Sequence, residues 1–212
     1  MSAISLLILG AGGHGKVAAD CATAQGAWRT IEFFDDRWPA LQNCADWPVI
    51  GTGEALLRRK DDLVEAFVAI GDGETRLAWI ARLREAGLKL ATIVHPRAIL
   101  SPRASLGPAS LIVAGAIVNI GARLGEGAIV NTGATVDHDC FIEAGAHICP
   151  GAHLAGDVQV GRAALVGIGA SARQGVKIGA GATIGAGAAV VSDIGAGVTA
   201  SGVPARPMPK GQ

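Results

Sequence analysis

The chain has 212 residues, half of them hydrophobic and 17% charged, which excludes a disordered chain and leaves ample length for a packed core. Its 18 Lys and Arg balance 18 Asp and Glu, so no basic face invites nucleic acid or an anionic membrane. No apolar run approaches the ~20 residues of a membrane span, and 31 Gly beside four Trp, four Phe and no Tyr point to thin, closely stacked layers.

In chain order, Ile4 to Leu9 is an apolar run, too short for a signal-peptide core and preceded by no basic stretch. It ends in Gly10-Ala11-Gly12-Gly13-His14-Gly15, and Lys16 to Gln25 then reads as a helix closed by Gly26. Thr30 to Phe34 is a second strand, ending in Asp35-Asp36, and Ala66 to Ile70 a third, ending in Gly71-Asp72. Glu74 to Ala86 is a helix stopped by Gly87, and Leu90 to Val94 is a fourth strand. Strands alternating with helices imply a small, Rossmann-like parallel α/β sheet in a first domain, residues 1–94. His95-Pro96 and Ser101-Pro102 mark its junction with the second domain.

In such a sheet, ligands sit beyond the carboxyl ends of the strands. Three of those ends carry ligand-like residues: the Gly-rich turn, Asp35-Asp36 and Gly71-Asp72. The turn opens a helix, whose first N–H groups can hold a phosphate, and the carboxylates can accept hydrogen bonds from a base or ribose. Gly10, Gly12 and Gly15 satisfy G-x-G-x-x-G, the dinucleotide fingerprint. The domain is about half the size of a full dinucleotide fold. A mononucleotide or nucleotide-sugar therefore fits better than NAD and hydride chemistry. The alternative is a tight turn that binds nothing.

From Leu100 every sixth residue is Leu, Ile or Val as far as Val190, with Ala172 the one exception. Two residues before most of these stands a small side chain, as at Ala116, Ala122, Ala128, Ala134, Cys140 and Ala146. A turn former such as Gly107, Asn119, Gly125, Asn131 or Asp137 comes next. Period six suits neither an α-helix nor an alternating strand. It suits a short strand and a corner, three of which close a triangular coil of about 18 residues. Coils stacked ~4.8 Å apart form a left-handed parallel β-helix, the second domain, residues 95–212. The competing reading is a Gly/Ala-rich low-complexity segment. The phase slips after Val191, so Ser192 to Gln212 reads as a cap over the open end.

The phase also assigns directions. His138 falls two residues after Val136, at an outward corner, with Gly156 and Ile120 one coil to either side. Asp139 can hold one ring nitrogen and raise the ring's basicity, and Asp137 adds negative charge. A histidine so placed suits proton removal near pH 7; the plainer reading is a solvated surface histidine. Cys140 takes the small inward position and should be buried and inert. Metal binding by His138, His147 and His153 is disfavoured, because His147 and His153 lie on successive faces. Cys21, Cys44, Cys140 and Cys149 form no CxxC pair and read as reduced thiols of a cytoplasmic protein.

Taken together, the hexapeptide pattern, the Gly10–Gly15 motif, Asp35-Asp36, Ala69-Ile70-Gly71-Asp72, Asn131-Thr132 with His138-Asp139-Cys140, and Gly202-Val203-Pro204-Ala205 resemble two related groups. These are the bacterial nucleotide-amino-sugar N-acetyltransferases and the sialic acid O-acetyltransferases. The resemblance implies a homotrimer with acetyl-CoA between neighbouring β-helices, and no metal. It implies His138 as general base, its basicity raised by Asp139. It implies that His147 and the Gly156 region contact acetyl-CoA, with Ile168 and Ala186 lining the pantetheine groove. Gly12, Gly13, His14, Asp35, Asp36 and Gly51 would hold the nucleotide-sugar, a UDP or GDP conjugate, with Gly71 and Asp72 at the neighbouring strand end. The expected reaction is direct attack of a sugar amine on the thioester, backbone N–H groups stabilising the oxyanion. O-acetylation of a sugar hydroxyl and a non-catalytic scaffold remain the alternatives.

Overall fold

The computed structural model describes residues 5–59 and 63–209. Ile4, the expected start of the first strand, lies outside them, as do the last three residues of the expected cap. The chain divides into two compact units, residues 1–96 and 97–212. No helix among the described residues is long and apolar enough to cross a membrane.

The first unit contains β1 (Ser5–Leu9), α1 (Gly13–Gln25), β2 (Thr30–Phe34), β3 (Asn43–Cys44) and β4 (Trp47–Gly51), then α2 (Gly53–Leu57), β5 (Val64–Val68), α3 (Gly73–Glu85), β6 (Lys89–Leu90) and β7 (Ile93–Val94). The sheet runs β3-β4-β2-β1-β5-β6. Central β1 pairs in parallel with β2 and β5, so Leu6, Leu7 and Ile8 are buried on both faces with Phe33, Phe34 and Phe67.

The helix expected at Glu74 to Ala86 is shifted one residue earlier, and three elements differ more from the sequence reading. The third strand is two residues earlier than expected, because its partner β1 ends at Leu9, opposite Val68, and Ala69 to Gly71 leave the sheet. The fourth strand is broken: β6 pairs with β5, whereas β7 lies on α1, where the Val94 N–H donates to Gln25 Oε1 at 2.8 Å. The first helix starts at Gly13, ahead of Lys16, because Gly12 provides the extended N-cap. The hairpin of β3 and β4 and the short α2 have no counterpart in the sequence reading. Trp47-Pro48 argues against a strand, yet Pro48 is accommodated opposite Asn43 while Val49 and Gly51 pair with β2.

The second unit is a left-handed β-helix of two-residue strands. Its first face stacks Leu111–Ile112, Ile129–Val130, His147–Ile148, Leu165–Val166 and Thr183–Ile184, each 18 residues from the next. The second stacks strands from Ile99–Leu100 to Ala189–Val190, and the third from Ser105–Leu106 to Lys177–Ile178. The sixth-residue aliphatics point inward: Val118, Val130, Val136, Ile142 and Ile148 have no accessible surface. The small residues two places before them, from Ala116 to Ala152, are equally buried.

The stretch expected as a cap starts as one more coil. Ile194 bridges to Ile178 and Thr199 pairs with Thr183, each 16 residues apart, so this coil is two residues short of its predecessors. That shortening is the phase slip seen after Val191. The chain then folds back, with Arg206–Pro207 antiparallel to Thr199–Ser201.

Truncating the lining should be costly because little can relax into the gap. Ile148→Ala should destabilise by about 2–5 kcal/mol, whereas Gln159→Ala, outward on its strand, should stay within about 0.5 kcal/mol. Urea unfolding of both variants checks the difference.

Candidate active site

His138 sits at the corner between the second and third faces, after the strand Thr135–Val136. Its side chain is half exposed, and Nδ1 lies 2.9 Å from Asp139 Oδ2. With Nδ1–H donating to that carboxylate, Nε2 is the basic nitrogen. The hydrogen bond to Asp139 is the chief cause raising the imidazole above its ordinary value, with the charges of Asp137, Asp139 and Asp157 adding and slight burial opposing.

The backbone beneath is held by the coils on either side. The Asp157 N–H donates to the His138 carbonyl at 2.9 Å, and the Asp139 N–H to the Ile120 carbonyl at 3.1 Å. Asp137 Oδ1 accepts from the His138 N–H and from Asn119 Nδ2, both at 2.8 Å, which holds the Asp137 carboxyl below its usual range. The ring lies over Gly156, where a Cβ would come within 2.3 Å of Nε2. His138, Asp139 and Gly156 therefore form one cluster.

The other residues expected near acetyl-CoA lie elsewhere on the prism. His147 is on the first face, half-buried, with Nε2 3.1 Å from Asn131 Nδ2. Asn131 Oδ1 accepts from the Thr132 N–H at 2.8 Å, which orients the amide so that Nδ2 donates to His147. Ile168 and Ala186 stand on the corner between the first and second faces, both exposed, with the Gly187 N–H donating to the Ile168 carbonyl. Cys140 is buried, its Sγ 3.2 Å from the Ala155 carbonyl, and burial pushes its thiol up to about 11. His153 is exposed on the second face, its Nδ1 3.0 Å from Thr135 Oγ1. Among the described residues, no three His, Cys, Asp or Glu side chains are arranged to hold a metal ion.

In the first unit, a cleft at the strand ends is lined by Leu9, Gly10, Asp35, Asp36, Ile70 and Trp79. Gly12 and Gly13 are exposed at the start of α1, with open space where side chains would stand. Gly15 packs so closely that a Cβ would meet the Gly10 carbonyl. Asp35 accepts four hydrogen bonds: from the Ala11 N–H at 2.8 Å, the Arg37 N–H at 3.1 Å, Arg37 Nε at 2.7 Å and Arg37 Nη2 at 2.8 Å. Those contacts, Arg37 foremost, hold its carboxyl down at about 2 and occupy its four lone-pair sites. Asp36 accepts one, from the Gly53 N–H at 3.0 Å, and keeps acceptor capacity for a ligand. Gly51 ends β4, its carbonyl accepting from the Asp35 N–H at 2.9 Å.

Asp72 caps α3, accepting from the Thr75 N–H at 2.8 Å, and Gly71 precedes it on the surface. Burial, then the Arg76 charge, lowers His14 to about 4, so it is neutral at physiological pH. Arg76 is fully buried and donates to the Ile70 and Gly71 carbonyls at 2.7 and 2.9 Å, fixing the loop after β5. Sequence reasoning misses Arg37, Arg76 and Trp79 as parts of either site. The Asp72-x-x-x-Arg76 spacing at a helix start is the available signal for Arg76.

Residues 5–83 match the family model of the PglD N-terminal domain. The acetyltransferase domain of PglB from Neisseria gonorrhoeae FA1090, solved in complex with acetyl coenzyme A, is 42% identical and superposes with a TM-score of 0.94 over 98% of this chain and 100% of that one. The chain belongs to the bacterial nucleotide-amino-sugar N-acetyltransferase family. A second member, PerB from Caulobacter crescentus, solved in complex with CoA and GDP-perosamine, is 37% identical with a TM-score of 0.91 over 97% of both chains. The UDP-N-acetylbacillosamine N-acetyltransferase of Bacillus subtilis (strain 168) is 38% identical over 98 residues, which span 45% of this chain and 45% of that relative's length.

The His138–Asp139 pair in this family member can be tested without a substrate. Asp139→Asn removes the main cause of the raised imidazole value, so the His138 titration midpoint should fall toward the ordinary value of about 6.5. NMR titration of the ring protons measures it; an unmoved midpoint would assign the raised basicity to another group.

Proposed function

We propose that the protein transfers the acetyl group of acetyl-CoA to the amino group of a nucleotide-linked amino sugar, with His138 as general base. The observation that carries this reading is the exposed imidazole whose Nδ1 is tied to Asp139, leaving Nε2 to take a proton. As the amine nitrogen attacks the thioester carbonyl, Nε2 accepts an N–H proton, and Asp139 stabilises the imidazolium. Collapse of the tetrahedral species breaks the C–S bond. The proton held on His138 can pass to the departing sulfur, giving the amide and CoA. No enzyme-bound acyl group is needed, consistent with the buried, weakly acidic thiol of Cys140. Holding both substrates in place would supply much of the acceleration.

The finer parts of the reading rest on placement. His147 on one face, and Ile168 and Ala186 on a corner other than that of His138, suit a co-substrate lying between two copies, and hence a homotrimer. One copy would then present His138 and Gly156, and its neighbour His147 and the pantetheine-lining residues. Gly12, Gly13 and His14 would hold the phosphates at the start of α1, with Asp36 accepting from base or ribose and Asp35 bracing Arg37. Gly51, Gly71 and Asp72 would shape the adjoining strand ends. The reading places this action in the cytoplasm, within surface-glycan synthesis; four buried cysteines that form no disulfide accord with the compartment.

Two measurements test this. In a CoA-release assay across a panel of UDP and GDP amino sugars, His138→Asn should lower turnover by about 100-fold or more, with the melting temperature unchanged because the ring is exposed. Wild-type-like turnover in that variant would overturn the role. In thermal-shift titrations, one of the UDP, GDP or CMP conjugates should raise the melting temperature; stabilisation by NAD alone would reject the nucleotide-sugar assignment.

A further inference from the structure

The corner holding Asp139 recurs one coil earlier at Gly121 and one coil later at Asp157. All three adopt left-handed backbone, with φ of +75° at Gly121, +59° at Asp139 and +58° at Asp157. The conformation alone therefore does not demand glycine. Ala109 and Ala163 also adopt it at other corners, with φ of +57° and +52°. At the comparable corner glycines Gly133, Gly151, Gly169 and Gly175, a Cβ would meet nothing within 4 Å.

Gly121 differs. A Cβ there would stand 2.3 Å from Asp139 Oδ1 and 3.3 Å from Cγ. One carboxylate oxygen of Asp139 thus lies over the bare Gly121 backbone while the other meets His138 Nδ1 at 2.9 Å. We propose that Gly121 is a positioning residue for the reaction: the space where its side chain would stand is the seat of the Asp139 carboxylate, and filling it swings that carboxylate off the catalytic imidazole. The inference rests on the assignment of His138 as general base for its catalytic consequence, but not for its geometric one.

The exposed carboxylate can move away, but not while keeping its place on the ring. Its own backbone is pinned by the Asp139 N–H to the Ile120 carbonyl, and at 2.3 Å the contact is well inside van der Waals distance. Rotation about χ1 is the open route, and it breaks the bond to Nδ1. The other charged groups near the ring, Asp137 and Asp157, remain in place, so the loss is specific to the Asp139 hydrogen bond.

The test compares Gly121→Ala with Gly181→Ala. Gly181 adopts the same conformation, φ +63°, has open space for a Cβ, and stands one coil from Ala163, so it carries the same backbone strain without touching the dyad. In Gly121→Ala, the His138 midpoint read by NMR should fall, though less far than in Asp139→Asn, where the carboxylate charge is lost as well, and kcat should drop with KM changed less than about twofold. In Gly181→Ala, midpoint and turnover should both match the wild type. The decisive arm is the double variant: adding Gly121→Ala to Asp139→Asn should produce no further fall in either quantity. An unmoved midpoint in folded Gly121→Ala, or additive effects in the double variant, would overturn the proposal. If the wild type fails to acetylate any amino sugar, the reading of function fails, while the NMR arm still decides where the carboxylate is seated.

Discussion

Backbone hydrogen bonding between successive coils is the constraint on which the rest depends. Each two-residue strand is too short to be stable alone, so it persists only by pairing with the strands 18 residues before and after it. That pairing fixes every coil before the last to one length. A fixed length brings corner over corner, so that residues distant in sequence become vertical neighbours. The aliphatic lining supplies the burial that holds the stack together, and the small residues beside it let the backbone turn sharply enough to close the triangle.

The chemistry exploits that vertical order. A corner of a β-helix has its backbone groups committed to the coils above and below, so a side chain projecting from it is held on a rigid base. His138 gains its orientation from this commitment: its carbonyl receives the Asp157 N–H, its own N–H is held by Asp137, and Asn119 braces Asp137 in turn. The imidazole and its carboxylate then occupy space left by glycines on opposite sides, Gly156 under the ring and Gly121 under the acid. Orientation of the base is thus a property of three consecutive coils rather than of one tripeptide.

How much of this could be read from the residues depends on how local the cause is. The β-helix is legible because its period is a direct count, and the same count places Gly156 beside His138. The parallel sheet is legible from alternating apolar runs and glycine stops, and so are both ends of Thr30–Phe34, yet not every strand end is. Val68 ends β5 because its partner ends at Leu9, a fact about pairing that no single segment contains. The β4 strand is hidden by Pro48, and it forms because Val49 and Gly51 pair with Phe33 and Phe34, sixteen and seventeen residues earlier. The four-fold saturation of Asp35 by Ala11 and Arg37 is likewise a matter of three-dimensional convergence. So is the burial of Arg76 under two loop carbonyls. Residue type at Asp35-Asp36 indicates a polar strand end; it does not say which carboxylate retains room for a ligand.

The fold-back at Arg206–Pro207 has its own bearing on the molecule. A stack of parallel strands ends in a row of backbone donors and acceptors, a template onto which another chain could add. Here the strand Thr199–Ser201 is paired by a short antiparallel arm containing proline, which lacks an N–H to extend the ladder. Ala205 is buried in the same turn, its N–H donated to the Ala189 carbonyl. The fold-back therefore blunts the edge that this one face would offer to the backbone of another chain.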